Sequence, residues 1–166
     1  NLNKSLDLNL SNLFFGSKIV NYEDKILVSS NENFYVIDSR SGIITSKKNF
    51  STKIKPVVNK NNIFLVTKNN FLIAMNLKNT EIIYSHDLNK KLSDFKKIKR
   101  NLEIKNLMLV NSNIFLFIKN SHIVKLDIKG NLLEVTKVPS NLNSQPIFID
   151  NSLLYLDKKN KLLIVN

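Results

Sequence analysis

The stretch IFLVTKNNFLIAMNLKNTEIIYS, residues 63–85, decides the fold. Three short apolar runs, rich in Ile, Phe and Val, are separated by two polar turns. Runs of this length and composition are strand formers, and they are too short and too often interrupted for helices. Asn69-Asn70 supplies the first turn, because Asn tolerates the left-handed backbone that tight hairpins need. The pattern predicts strands over 63–67, 71–76 and 82–85.

The same unit recurs. ILVSSNENFYVIDSRSGIITS starts at Ile26, IFLFIKNSHIVKLDIKGNLLEVT at Ile114 and LLYLDKKNKLLIVN at Leu153. A polar marker closes the second apolar run of each copy: Asp38, Asn76, Asp127 and Asn166. These markers are 38, 51 and 39 residues apart, a period near 40 with one insertion. A period of that size signals a repeat architecture. In two copies an opening strand follows a proline, at Pro56-Val57-Val58 and Pro146-Ile147-Phe148, where a proline costs no ladder bond. Each unit therefore reads as four strands.

The inner runs FLIAM (71–75) and IFLFI (114–118) are apolar throughout, without the alternation of a sheet wetted on one side. Both faces must be covered, and four-stranded sheets stacked face to face supply the cover. The expectation is an all-β fold, a β-propeller of about four blades or a segment of a seven- to eight-bladed ring. The repeats run approximately over 17–55, 56–103, 104–145 and 146–166, within one domain spanning 1–166. Residues 4–10, KSLDLNL, resemble the fourth-strand region YSHDLNKKL (84–92) and are expected to complete the last blade.

The totals are compatible with such a chain. A chain of 166 residues buries roughly 70% of its unfolded surface. With no cysteine it has neither disulfides nor thiolate metal sites. No apolar run approaches the roughly 20 residues that span a bilayer. The first residue is Asn1, so any signal peptide or lipid anchor would lie upstream of it. The net charge of +12 is almost all lysine, with Arg40 and Arg100 the only arginines. Abundant Asn, Lys, Ile and Phe share A/T-rich codons, which accounts for the lysines without a nucleic-acid ligand. Base readout also favours Arg, for its bidentate fork.

The second repeat resembles the PQQ-type propeller repeat. Leu72-Ile73-Ala74-Met75-Asn76 sits on that repeat's Leu-Tyr-Ala-Leu-Asp segment, Thr80 on its Gly and Tyr84 on its Trp. Phe34-Tyr35-Val36-Ile37-Asp38 and Gly42 match in the first repeat, and 123–127 and 162–166 in the other two. The resemblance implies one of two things. The first is a non-enzymatic scaffold like the BamB-type propellers of outer-membrane protein assembly, placed in the periplasm or cell envelope. The second is a fragment of a PQQ-dependent quinoprotein dehydrogenase. The family's dehydrogenases use tryptophans and a vicinal cysteine pair, and this chain has no Trp or Cys. The scaffold is therefore the reading carried forward, with no enzyme activity and no cofactor.

Candidate sites are few. His86 and His122 occupy different blade positions, and a metal needs converging ligands. Asp38, Asn76, Asp127 and Asn166 are expected to bond the turns that follow them. No Gly-x-Ser-x-Gly or phosphate loop is present. The insertion at 89–103 is the most individual segment. Lys90, Lys91, Phe95, Lys96, Lys97, Lys99 and Arg100 make it the candidate partner-binding element. Leu92, Phe95, Ile98 and Leu102 recur at roughly helical spacing, which predicts a short amphipathic turn or helix on the rim. Its partner would be a protein, including outer-membrane assembly machinery, or an anionic membrane surface met peripherally. No small-molecule substrate is implied, and binding of nucleic acid or an anionic surface through the basic charge is the remaining alternative. Strand alternation predicts that the insertion shares one face with the turns at 31–33, 68–70 and 120–121.

Overall fold

The computed structural model describes residues 18–30, 32–95, 102–150 and 152–165. The expected strand at 4–10, the marker Asn166 and the candidates Lys96, Lys97, Lys99 and Arg100 lie outside the described residues. The chain divides into two compact units at Asp87 and Leu88.

The first unit holds two four-stranded antiparallel sheets, each in sequential order. The first sheet is β1 (Val20–Tyr22), β2 (Lys25–Ser29), β3 (Phe34–Asp38) and β4 (Ile44–Lys48). The second is β5 (Val57–Asn59), β6 (Asn62–Val66), β7 (Phe71–Asn76) and β8 (Ile82–Asp87). The stretch 63–85 is thus three strands of the second sheet. Ile63 pairs with Met75 and Leu65 with Ile73. β8 runs two residues past its expected end, because His86 and Asp87 still pair with Leu72 and Phe71.

Two-residue turns join the first and second strands of both sheets. Their leading residues, Glu23 and Lys60, sit in the left-handed region at φ 52. Leu27, Phe34, Val36, Ile63, Leu65, Ile73 and Met75 form the core cluster of this unit. The opposite side of the second sheet is buried as well, at Phe64, Val66, Leu72 and Ala74. The unbroken apolarity of β6 and β7 therefore has the expected cause, cover on both faces. Polar groups buried where the chain passes between the sheets are satisfied: the Thr52 amide donates to Ser29 Oγ at 2.9 Å, and the Lys68 amide to the Ser51 carbonyl at 2.8 Å.

The second unit opens with a single helical turn, α1 (Leu88–Lys91). A four-stranded antiparallel sheet follows: β9 (Ile104–Val110), β10 (Asn113–Ile118), β11 (His122–Asp127) and β12 (Leu132–Lys137). The last sheet has three strands, β13 (Ile147–Ile149), β14 (Ser152–Leu156) and β15 (Leu162–Val165). Phe117, Ile123, Val138, Leu153 and Tyr155 form the core between these two sheets. Phe115 and Phe148 pack on it with ring centroids 4.8 Å apart.

The repeat extends to its irregularities. In all three complete sheets the pairing of third and fourth strands slips one residue just before the marker, between Val36 and Ile37, Ala74 and Met75, and Lys125 and Leu126. Such a bulge increases the local twist of the outer strand.

Candidate functional site

The periodic markers act on their own turns. Asp38 Oδ1 accepts from the amides of Arg40 (3.2 Å) and Ser41 (2.8 Å) and from the Ser41 hydroxyl (2.8 Å). Asn76 Oδ1 accepts from the Lys78 and Asn79 amides at 2.8 and 3.3 Å. Asp127 Oδ1 accepts from the Lys129 and Asn131 amides, both at 2.8 Å, and its Oδ2 from the Asn131 side-chain amide at 2.8 Å. These bonds hold both carboxyls below the usual range, Asp38 chiefly through the Ser41 amide and Asp127 chiefly through the Asn131 side chain. In each turn the residue at the repeat's glycine position has positive φ: Gly42 at 71°, Thr80 at 59° and Gly130 at 82°. Asp157, not singled out from the sequence, builds the same turn between β14 and β15. Its Oδ1 accepts from the Lys159 and Lys161 amides, at 2.8 and 2.9 Å. Its signal was the spacing Asp157-x-x-Asn160, matching Asp127-x-x-Gly130.

The two histidines belong to different units. His86 lies on β8 with its ring 4.8 Å from that of Tyr84. His122 opens β11 with Nδ1 2.9 Å from the Asn120 carbonyl oxygen. Among the described residues, no group of three His, Cys, Asp or Glu side chains could hold a metal. Near Asp38 a cavity of about 650 Å³ is lined by Glu23, Asp24, Lys25 and Arg40. Its charges are partly matched, with Lys25 Nζ 3.4 Å from Asp24 and 3.8 Å from Asp38.

Among the described residues of the insertion, helix covers α1 and a turn follows over 92–94. Leu88 and Leu92 are buried, whereas Phe95 is 38% exposed. Lys91 does not reach outward. Its ammonium donates to the carbonyl of Gly130, which lies in the β11–β12 turn. Lys90 is exposed. At the far end, the Lys119 amide donates to the Glu103 carbonyl at 2.9 Å, and Glu103 also pairs with Lys119 Nζ at 2.7 Å and with Lys105. Those bonds push the Glu103 carboxyl down to about 2, Lys105 contributing most.

Lys119 adjoins the β10–β11 turn, on the expected face, but Gly130 lies at the opposite end of the same sheet. The expectation of a single face is therefore corrected. Antiparallel strands send successive turns to opposite ends, and the described parts of the insertion touch both.

The fourth sheet presents a surface that sequence reasoning missed. One side, with Leu153 and Tyr155, packs into the core of the second unit. On the other side Ile147, Ile149, Leu162 and Ile164 are 51–62% exposed. On the Leu153 side, between the third and fourth sheets, runs a groove of about 630 Å³. Val138, Phe148, Leu153 and Val165 make it apolar, and Lys125, Glu134 and Thr136 make it polar.

No family model matches this chain, and no curated protein does. Solved structures do. BamB from Moraxella catarrhalis superposes with a TM-score of 0.70 at 12% identity, over 89% of this chain and 42% of that one. The computationally designed Ika4 protein superposes at 0.66 and 12% identity, over 90% of this chain and 88% of that one. For the designed Ika8 protein the values are 0.64 and 13%, over 89% and 44%. The chain thus spans less than half the length of BamB. Together with the blade-like sheets, these neighbours define the fold as a partial β-propeller of the kind seen in BamB.

Proposed function

We propose that this protein is a non-enzymatic scaffold of the bacterial cell envelope, binding other proteins as BamB-type outer-membrane assembly propellers do. The observation that carries this reading is the uncovered aliphatic side of the fourth sheet. Contiguous apolar surface of this kind marks interaction sites in folded proteins. The likeness to BamB supports the envelope setting, as does the PQQ-type pattern around Ala74 and Asn76. The prominent Asp and Asn side chains are spent on turn geometry, which leaves them poorly placed for acid–base work. No helix among the described residues is long and apolar enough to cross a membrane.

The test is cross-linking in envelope fractions of the source cells, comparing the native chain with Ile149→Asp and Ile164→Asp variants. Partner recovery is expected to fall at least about tenfold in the variants, since apolar hot spots dominate such interfaces. Recovery equal to the native chain would overturn the reading. Added PQQ with calcium is expected to leave the melting temperature unchanged, because a ligand that binds the folded state raises it.

A further inference from the structure

The turns at one end of the second unit are bonded into a single surface. The connector 138–146 runs from β12 to β13 and ties the β10–β11 turn to the β14–β15 turn. The Val138 amide donates to the Ser121 carbonyl at 2.8 Å, and the Ser121 hydroxyl to Asn141 Oδ1 at 2.7 Å. Further along, the Asn143 amide donates to the Leu156 carbonyl at 2.8 Å, and the Leu156 amide to Ser144 Oγ at 2.9 Å. Asp157 fixes the β14–β15 turn itself.

This surface is basic. It carries Lys119 beside the β10–β11 turn, Lys137 at the end of β12, and Lys158, Lys159 and Lys161 in the β14–β15 turn, all exposed. The acids near them are occupied: Glu103 pairs with Lys105 and Lys119, and Asp157 Oδ1 accepts backbone amides. Lys137, Lys158, Lys159 and Lys161 make no ion pair with an acid among the described residues. At the opposite end of the same sheets, the described turns carry Lys129 against Asp127 and Asp150. A codon bias toward lysine would load both ends alike, so the asymmetry belongs to the fold.

We propose that this lysine-bearing end of the second unit docks the protein peripherally on an anionic lipid bilayer. Two features select a bilayer over a single acidic ligand. The cations are spread across bonded loops, and none of them lines the groove between the third and fourth sheets. They are also all lysines, compact point charges on flexible stems, with no arginine to fork onto one carboxylate or phosphate. Such charges suit a plane of many mobile headgroups, where the attraction of each adds to that of the next. The bonded connector holds the stems to one end, so they meet that plane together. Attachment of this kind goes beyond the scaffold reading and requires nothing of the exposed side of the fourth sheet.

The probe is a vesicle of phosphatidylcholine and phosphatidylglycerol in equal parts, sedimented with the full chain at low salt. Binding is expected to be saturable, absent from pure phosphatidylcholine vesicles and weakened by added salt. Hydrogen exchange slows on the vesicles at 138–144 and 157–161. The combined Lys158→Glu, Lys159→Glu and Lys161→Glu variant binds about tenfold more weakly or worse, whereas Lys158→Arg, Lys159→Arg and Lys161→Arg together bind as the native chain does. Lys47→Glu, Lys53→Glu and Lys55→Glu together alter exposed lysines of the first unit and change the net charge equally. That control is expected to bind within about twofold of the native chain, because salt screens charges far from the contact.

Absence of binding to the mixed vesicles overturns the proposal, as does unchanged affinity in the Lys158, Lys159 and Lys161 charge reversal. An equal loss in the first-unit control also overturns it, by making net charge alone the cause, and so does exchange protection confined to other segments. Tighter binding of a polyglutamate peptide or a single-stranded oligonucleotide than of the vesicles assigns the surface to a protein or a nucleic acid instead. If the vesicles fail while the cross-linked partner is still recovered, the scaffold reading stands and only the bilayer surface falls. If cross-linking is indifferent to Ile149→Asp and Ile164→Asp while vesicle binding holds, the reverse follows.

Discussion

The second and fourth sheets are built on the same strand pattern and meet opposite circumstances. In the second, Ile63, Leu65, Ile73 and Met75 are buried on one side and Phe64, Val66, Leu72 and Ala74 on the other. In the fourth, Leu153 and Tyr155 are buried, while Ile147, Ile149, Leu162 and Ile164 stand in solvent. Both read as apolar runs. Whether an apolar strand face is core or docking surface depends on what lies across it, and that is a tertiary fact. The second sheet contributes stability through both of its sides, whereas the fourth does so through one.

Paired truncations put that contrast at its most visible. Leu65→Ala is expected to cost about 2–5 kcal/mol in urea unfolding, the usual range for a buried leucine. Ile164→Ala is expected to stay within about 0.5 kcal/mol, as exposed substitutions do. A comparable cost at both positions would break the comparison by showing that the fourth sheet is covered in solution.

A smaller effect of opposite sign is expected at Thr80. It occupies the position where Gly42 and Gly130 take positive φ, and a β-branched residue at φ 59 is strained. Thr80→Gly should stabilise the second sheet by about 1 kcal/mol, measured by the shift of the unfolding midpoint. A loss of stability would show that the Thr80 side chain makes up for the strain.

Finer still is the marker turn of the third sheet. Asp127→Ala removes the acceptor of the Lys129 and Asn131 amides, so hydrogen exchange at those two amides should accelerate. Unchanged exchange would mean that the turn holds without its Asp. The smallest expected effect is at Glu103. Its carboxyl is lowered from 4.5 to about 2 by Lys105 and Lys119. A lowered folded value gives stability that is complete above about pH 4.5 and lost as the pH falls towards 2. Carboxyl NMR titration should place the inflection near the lower value; one near 4.5 would remove the ion-pair cluster from the account.

Much of the fold was legible. β7 and β15 occur at the expected residues, both prolines precede the opening strands β5 and β13, and the double cover of β6 and β7 follows from their unbroken apolarity. The turn role of the markers was legible from Asp and Asn at fixed offsets. The candidate site was read less well. Lysine side chains are long and their destinations are set by distant backbone, so nothing local distinguished Lys91, which bonds the Gly130 carbonyl, from the exposed Lys90. Leu88 and Leu92 bury themselves with a single helical turn, and short helices have little stability of their own.

By itself, the sequence determined the period, the strand positions and the turns that punctuate them. Those depend on local backbone preference and on the two-residue alternation of a strand, both of which are written along the chain. Only the tertiary structure decided which apolar faces are covered and which cation is tied to a carbonyl. Those depend on contacts between residues far apart in sequence, and hydrophobic burial does not record its partner in the residue that is buried.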